Sequence, residues 1–106
     1  MAAQKNMVKI SKRLDASNVA EFKTEALSVL EQTPVGIIVN FSNTLFIDSA
    51  GLGSLVSILK TAAQSNKKLA LVCLSPQVSQ IFELTKLYRI FDIYDSLEKA
   101  EKIMNG

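Results

Sequence analysis

The sequence predicts an α/β protein with a small mixed, largely parallel sheet of four to five strands, flanked by about four helices. Short apolar runs alternate along the chain with longer stretches whose apolar residues recur at helical spacing. Two of the short runs, IIVNF and LALVCL, are apolar on both faces, as central strands are. Because strands and helices alternate, the pairing is expected to be largely parallel. A chain of 106 residues is expected to form one domain, residues 1–106.

The first half of the chain predicts two strands with a helix between them. Residues 7–14 alternate apolar and polar side chains, which indicates a half-buried strand near a sheet edge, where pairing in the opposite sense stays open. The following helix is expected over about residues 18–32, with Ser17 or Asp15 as its N-cap, and the TPVG segment ends it. Residues 37–41 form the next strand, and the apolar LFI segment follows after a turn.

The second half of the chain predicts the remaining elements. Helical apolar spacing begins at Ser49 and continues to the QSNKK segment. LALVCL is the second buried strand, and Ser75 and Pro76 then suit the N-cap and the first position of another helix. IFDIY is a short strand, and Ser96 is expected to cap a last amphipathic helix.

Composition and charge limit the class of protein. The chain is 48% hydrophobic and 21% charged, and its net charge of +2 gives no argument for nucleic acid as a partner. A basic cluster near the start, which a solvated strand face explains, contains Lys5, Lys9, Lys12 and Arg13. The single cysteine, Cys73, is expected to be a core residue. No apolar run approaches the ~20 residues of a membrane span, and no signal peptide is recognisable, so a cytoplasmic protein that does not bind membranes is expected.

Histidine does not occur in the sequence. Its absence removes the commonest general base, the Ser-His-Asp triad and the histidine-bearing zinc sites. The GK[ST] sequence of a phosphate-binding loop is also missing. We therefore expect a protein that is not an enzyme and holds no metal and no cofactor.

The segment FIDSAGLGSLVSILK, residues 46–60, contains the most informative residues. Ser49 opens a helix there, and a serine in that place is commonly just an N-cap. Gly51 and Gly53 follow in the first turn, where each costs roughly 1 kcal/mol relative to alanine. They indicate that the start of the helix is left bare, so that another molecule can approach the backbone. These neighbours favour a functional role for Ser49 over simple capping.

Nucleophilic catalysis is one interpretation of Ser49. A nucleophile elbow requires glycine two residues before the serine, and Ile47 stands there. A serine–lysine pair would need a lysine within reach, but Lys60 follows about three turns later along the helix. A hydrolase is therefore a poor interpretation of this motif.

Covalent modification of Ser49 is the interpretation that we favour. Phosphorylation would add nearly two negative charges at a helix amino terminus, where the free N–H groups and the helix dipole stabilise them. A partner docked on the same surface would instead meet a dianion beside Asp48. The sequence thus predicts a binding module switched by a change of charge.

Three segments, RLDASNVAEFK, FIDSAGLGSLVSILK and KLALVCLSPQVSQIFELTKLYRIFDIYDSLEKA, together resemble the STAS-domain anti-sigma-factor antagonists over about residues 7–105. The resemblance implies a STAS-like fold and a bacterial regulator that binds an anti-sigma factor, usually a serine protein kinase. It also implies that the kinase phosphorylates the serine after the aspartate, here Ser49, which dissociates the complex. A serine phosphatase then restores binding. Asp15 and Asp48 match two acidic residues of the family motifs.

Departures from the family pattern concern polar positions. Ala50 stands where many relatives have a second hydroxyl, so Ser49 is the only hydroxyl at the centre of the motif, with Thr44 and Ser54 outside it. Asn40 stands where relatives often have aspartate. Fewer residues than usual precede RLDA, so the first strand of the family is expected to be short or absent.

The partner-facing residues are expected to be Asp15, Asn43, Asp48, Ser49, Gly51, Leu52 and Gly53. Leu52 is alternatively a core residue, since it starts the apolar stripe of its helix. An alternative function is a STAS subunit of another regulatory or transport complex, such as one for lipid transport or a phosphorelay controlling motility or biofilm formation. The sequence leaves the oligomeric state open.

Overall fold

The computed structural model describes residues 6–105 of the chain, which form six strands and four α-helices with the bounds that follow. The strands are β1 (Met7–Lys9), β2 (Arg13–Leu14), β3 (Gly36–Asn40), β4 (Phe46–Ile47), β5 (Lys68–Val72) and β6 (Asp92–Tyr94). The helices are α1 (Val19–Gln32), α2 (Ser49–Gln64), α3 (Pro76–Leu84) and α4 (Leu97–Asn105), and a short 3-10 turn lies at Leu87–Arg89. The predicted fold class is confirmed.

Four strands form the main sheet, in the order β1–β3–β5–β6, and every neighbouring pair is parallel. The first strand lies at an edge, as expected, but it pairs parallel to β3 rather than in the opposite sense, because α1 returns the chain to the same end of the sheet. Residues 7–14 do not form one strand. They divide into β1 and β2, and β2 pairs with β4 in a separate two-stranded parallel ladder.

The core lies on both faces of the main sheet. β3 is buried along its whole length, so successive side chains enter opposite faces. Ile37 and Val39 pack with residues of α1, α2 and α3, whereas Ile38 packs with Ala100 and Met104 of α4. Full burial of each such aliphatic side chain contributes about 1.5–3 kcal/mol. This packing fixes the direction in which α2 leaves the sheet.

Two of the predicted helix caps are confirmed. The Ser75 hydroxyl accepts a hydrogen bond from Val78 N at 3.3 Å, with Pro76 as the first residue of α3. The Ser96 hydroxyl accepts from Lys99 N, also at 3.3 Å, at the start of α4.

The predicted cap of α1 is wrong. The residue before the helix is Asn18, and its side chain makes no capping hydrogen bond. Asp15 lies one turn too early, and its carboxylate accepts from Ser17 N and Ser17 Oγ, closing a turn before the helix. The Asp15 carbonyl oxygen, rather than its side chain, accepts from the N–H of Val19.

Of the helices within residues 6–105, none combines the length and the apolar character needed to cross a lipid bilayer.

Candidate functional site

Asp48, not Ser49, caps helix α2. One carboxylate oxygen of Asp48 accepts from Gly51 N at 2.9 Å, and the other accepts from Ala16 N at 3.1 Å. The Asp48 N–H donates to Leu14 O. This aspartate therefore joins the start of α2 to the loop between β2 and α1. The capping role that we considered for Ser49 is filled by its neighbour.

Ser49 is the first residue of α2, and its side chain is exposed. Within residues 6–105 its hydroxyl has no hydrogen-bond partner. The two other hydroxyls near the motif are buried and bonded to backbone oxygens, Thr44 to Ser11 O at 2.8 Å and Ser54 to Gly51 O at 2.7 Å. Only the Ser49 hydroxyl of these three is open to another molecule.

The packing of this chain requires a glycine at position 51. It is buried, and a Cβ atom built there would lie 2.5 Å from Leu14 O and 2.8 Å from Ile47 Cγ1. Helix α2 therefore crosses β2 and β4 too closely for any side chain at this position. The expectation that Gly51 bares the helix for a partner is corrected, since its space is filled by this chain.

Gly53 lies in the opposite situation. It is exposed, and no atom of residues 6–105 lies within 4 Å of the Cβ that an alanine would add there. Ser49 and Gly53 are four residues apart and therefore share one face of α2. The packing of the described residues does not require a glycine here, and a role of Gly53 in contacting a partner stays a prediction.

Asp15 is engaged by its own loop. Its side chain is 15% exposed, and one oxygen lies 2.7 Å from Arg13 Nε. The hydrogen bond from the Ser17 hydroxyl, with a smaller contribution from Arg13, holds the pKa of Asp15 below its ordinary value, although partial desolvation acts in the opposite direction. The carboxylate stays ionised and is held near the loop that Asp48 joins to α2.

The remaining predicted site residues divide between surface and core. Asn43 is exposed in the loop after β3, and Leu52 is partly buried and packs against the core, as its alternative interpretation held. The described residues thus bring Asp48, Ser49 and Gly53 to one end of α2. Asp15 lies in the loop whose Ala16 N–H binds Asp48.

Sequence analysis missed two apolar residues beside the site. Leu45 and Phe46 are 54% and 44% exposed, whereas Ile47 is buried. The alternation of Phe46 and Ile47 is the signal that was available, because a half-buried strand directs successive side chains to opposite faces. The guanidinium carbon of Arg13 lies 5.2 Å from the centre of the Phe46 ring.

The arrangement around Ser49 suits modification better than catalysis. Both oxygens of Asp48 are occupied by backbone N–H groups, so this carboxylate is not directed at the Ser49 hydroxyl as a general base. The described residues contain no group of three or more aspartate, glutamate or cysteine side chains placed to hold a metal ion. What remains at the surface is an accessible hydroxyl beside a fixed negative charge.

Comparison with known proteins shows which family this chain belongs to. A model of the STAS domain matches residues 3–100. The chain belongs to the STAS domain family. The resemblance drawn from the sequence segments is confirmed.

Relatives of this STAS chain are described as anti-sigma factor antagonists. An anti-sigma-B factor antagonist of Staphylococcus aureus (strain NCTC 8325 / PS 47) is 32% identical over 78 residues, which are 74% of this chain and 72% of the relative. A crystal structure of a candidate anti-sigma factor antagonist from Thermotoga maritima has a TM-score of 0.83 at 30% identity and covers 95% of this chain and 89% of that one. The antagonist SpoIIAA, solved in its unphosphorylated form, has a TM-score of 0.70 at 20% identity, covers 96% of this chain and 92% of its own, and shares the fold alone.

Proposed function

We propose that this STAS protein is an anti-sigma factor antagonist whose binding is switched by phosphorylation of Ser49. In the unphosphorylated form it binds an anti-sigma factor that is also a serine protein kinase, which frees a sigma factor for transcription. The kinase modifies Ser49 and is released, and a serine phosphatase restores the binding form. The names of the relatives support the antagonist function. The protein acts in the cytoplasm as a binding module and not as an enzyme.

The exposed, unbonded hydroxyl of Ser49 is the observation on which this proposal rests. Because Asp48 caps the helix, modification of the Ser49 hydroxyl removes no hydrogen bond among the described residues. The backbone N–H groups of Ser49 and Ala50, in the first turn of α2, cannot donate within the helix and are oriented to stabilise an added phosphate. The fold is therefore expected to survive modification.

Loss of docking follows from the charge that modification adds. A phosphate at Ser49 contributes nearly two negative charges beside Asp48, whose position is fixed by two hydrogen bonds. A partner surface matched to the neutral hydroxyl would have to desolvate this dianion without a counter-charge. An uncompensated buried charge of this kind costs about 2–5 kcal/mol, which is roughly 30- to 5,000-fold in affinity.

The experiment separates charge from size at one position. The affinity of the purified anti-sigma factor kinase of the same organism is measured by calorimetry for wild type and for Ser49→Ala, Ser49→Gln and Ser49→Glu. We expect the alanine and glutamine variants to bind nearly as wild type does, and the glutamate variant to lose about 30-fold or more. Ser28→Glu is the matched control, because Ser28 is exposed on α1, nine residues after the start of that helix, and it should bind normally.

Several outcomes contradict the proposal. Equal affinity of wild type and Ser49→Glu excludes the charge switch, and an equal loss in the glutamine variant assigns the effect to size. Recovery of a transport ATPase instead of a kinase, by crosslinking at Ser49, indicates a subunit of another STAS complex. Labelling of Ser49 by a fluorophosphonate probe identifies a hydrolase.

A further inference from the structure

Two large apolar side chains lie exposed directly before the switch serine. Leu45 and Phe46, which we call the β4 patch, are followed by buried Ile47 and then by Asp48 and Ser49. Single exposed apolar residues are ordinary on protein surfaces. These two are adjacent in the segment that leads into α2, and packing among residues 6–105 leaves about half of each side chain exposed.

The backbone holds the β4 patch in a fixed position. The Leu45 N–H donates to Lys12 O at 2.8 Å, and Phe46 pairs with Arg13 in the β2–β4 ladder. The Arg13 guanidinium lies over the Phe46 ring, which restricts the rotation of that side chain. Side chains that are already ordered lose less conformational entropy when a partner covers them.

The charged side chains near the β4 patch differ in whether they already have a partner within this chain. The carboxylate of Asp15 is bonded to Arg13 and Ser17, and the carboxylate of Asp48 is bonded to two backbone N–H groups. Lys12 is exposed and forms no ion pair with any residue of the described chain. Lys12 is therefore a cation that remains available to a partner next to the β4 patch, since its carbonyl oxygen accepts from Leu45 N.

A protein that covers Ser49 lies close enough to contact the β4 patch as well. A specific interface buries about 800 Å² on each partner, which corresponds to a disc of about 16 Å radius. Three residues of extended chain span at most about 11 Å, so Phe46 lies within that radius of Ser49. Buried aromatic residues and arginines near the centre of an interface contribute most of its binding energy.

Building on the proposed function, we propose that Leu45 and Phe46 anchor the anti-sigma factor kinase, and that Lys12 faces a carboxylate on the rim of the kinase surface. The kinase supplies an apolar cleft for the β4 patch and acidic residues beside it. Phosphorylation of Ser49 then adds negative charge opposite this acidic rim. The patch sets the affinity of the complex, and Ser49 sets its dependence on modification.

Tryptophan does not occur in this sequence, so a single introduced tryptophan reports on one position. Fluorotryptophan is incorporated into the Phe46→Trp variant and followed by fluorine NMR while unlabelled anti-sigma factor kinase is added. We expect the resonance to change its chemical shift as the complex forms. Ile103→Trp is the matched control, because Ile103 is 42% exposed on α4, which packs on the face of the main sheet opposite α2, and its chemical shift should not change.

Affinities measured by calorimetry test how much each of these residues contributes to binding of the kinase. Phe46→Ala should weaken kinase binding about 30-fold or more, whereas Ile103→Ala should stay within about twofold of wild type. Lys12→Glu should weaken binding roughly tenfold, with a larger effect at low salt, and Lys86→Glu should not. Circular dichroism of each variant checks that the fold is retained.

The outcomes separate this proposal from the switch itself. An unchanged Phe46→Trp resonance in the bound state, or equal losses of affinity in Phe46→Ala and Ile103→Ala, overturns the anchoring role. The switch would stand if Ser49→Glu still weakened binding. If wild type and Ser49→Glu bind with equal affinity while Phe46→Ala binds more weakly, the charge switch at Ser49 is excluded and the anchoring role of Phe46 stands. A resonance that shifts with the concentration of this chain alone assigns the patch to self-association, and failure of the kinase to bind wild type overturns both proposals.

Discussion

Alanine substitutions at Gly51 and Gly53 should change the free energy of unfolding in opposite directions. Both glycines lie in the first two turns of α2, and in the sequence they are separated by one residue. A Cβ at Gly51 would lie 2.5 Å from Leu14 O, whereas a Cβ at Gly53 would meet no atom of the described part of the chain within 4 Å. The two variants therefore form a matched pair in which only the surroundings differ.

The expected magnitudes follow from two opposing effects. Alanine gains about 0.5–1 kcal/mol over glycine in a helix at either position. At Gly51 this gain is outweighed, because the atom at 2.5 Å is backbone and must move, and overpacking of a core costs about 1–3 kcal/mol. We expect Gly51→Ala to be destabilised by about 1–2 kcal/mol and Gly53→Ala to be stabilised by about 0.5–1 kcal/mol.

Urea unfolding followed by circular dichroism measures both changes, and each 1 kcal/mol should move the thermal midpoint by about 4 °C. A Gly53→Ala variant less stable than wild type would mean that this position is constrained within the fold. A Gly51→Ala variant as stable as wild type would mean that α2 is free to move away from β2. The first result refutes the open surroundings of Gly53, and the second refutes the close crossing at Gly51.

Binding supplies the second half of this prediction. If Gly53 is retained so that a partner can approach the backbone, Gly53→Ala should lose affinity for the kinase although it gains stability. Unchanged affinity would place Gly53 outside the interface.

Three further predictions concern the acidic residues and the switch serine. Asp48→Ala should lower the free energy of unfolding in urea by about 1–3 kcal/mol, because the helix cap and a loop hydrogen bond disappear. Asp48→Asn should keep most of this stability. Equal stability of the two variants would contradict the capping role. Asp15 has a pKa lowered by its hydrogen bond from Ser17 and by Arg13, so its contribution to stability is fully present above its ordinary value of 3.8 and is lost as the pH falls through the folded value. Asp15→Asn should therefore show a shallower loss of stability than wild type in acid titrations below about pH 4, and parallel curves would exclude this linkage. Ser49→Glu should unfold within about 1 kcal/mol of wild type, since a negative charge in the first turn of a helix is stabilised by its dipole; a much larger loss in thermal unfolding would show that the added charge disturbs the scaffold.

The order and type of the elements could be predicted because the signals are local. IIVNF and LALVCL are apolar on both faces, and β3 and β5 are the two central strands of the main sheet. Serine before proline placed the cap of α3 correctly, since Ser75 satisfies a backbone N–H of its own helix. Such decisions need only a few neighbouring residues.

The details of the site depend on contacts between distant segments. Asp48 and Ser49 are adjacent and both are good N-caps, so their sequence does not decide between them. In the folded chain Asp48 is the cap, and its second carboxylate oxygen accepts a hydrogen bond from Ala16 N, 32 residues away along the chain. Nothing in the sequence distinguishes Gly51 from Gly53, so both are interpreted there as leaving the helix bare for a partner. The close crossing of α2 over Leu14, which explains Gly51, is visible only in the folded chain.

The double attachment of the Asp48 carboxylate has a consequence for any charge placed next to it. A surface aspartate ordinarily rotates away when a neighbour becomes negative, which relaxes the repulsion within the molecule itself. Here both oxygens are tethered, one to Gly51 N and one to Ala16 N, so that rotation would break two hydrogen bonds. The Asp48 carboxylate therefore stays beside residue 49, and a molecule docked there would face both negative charges together.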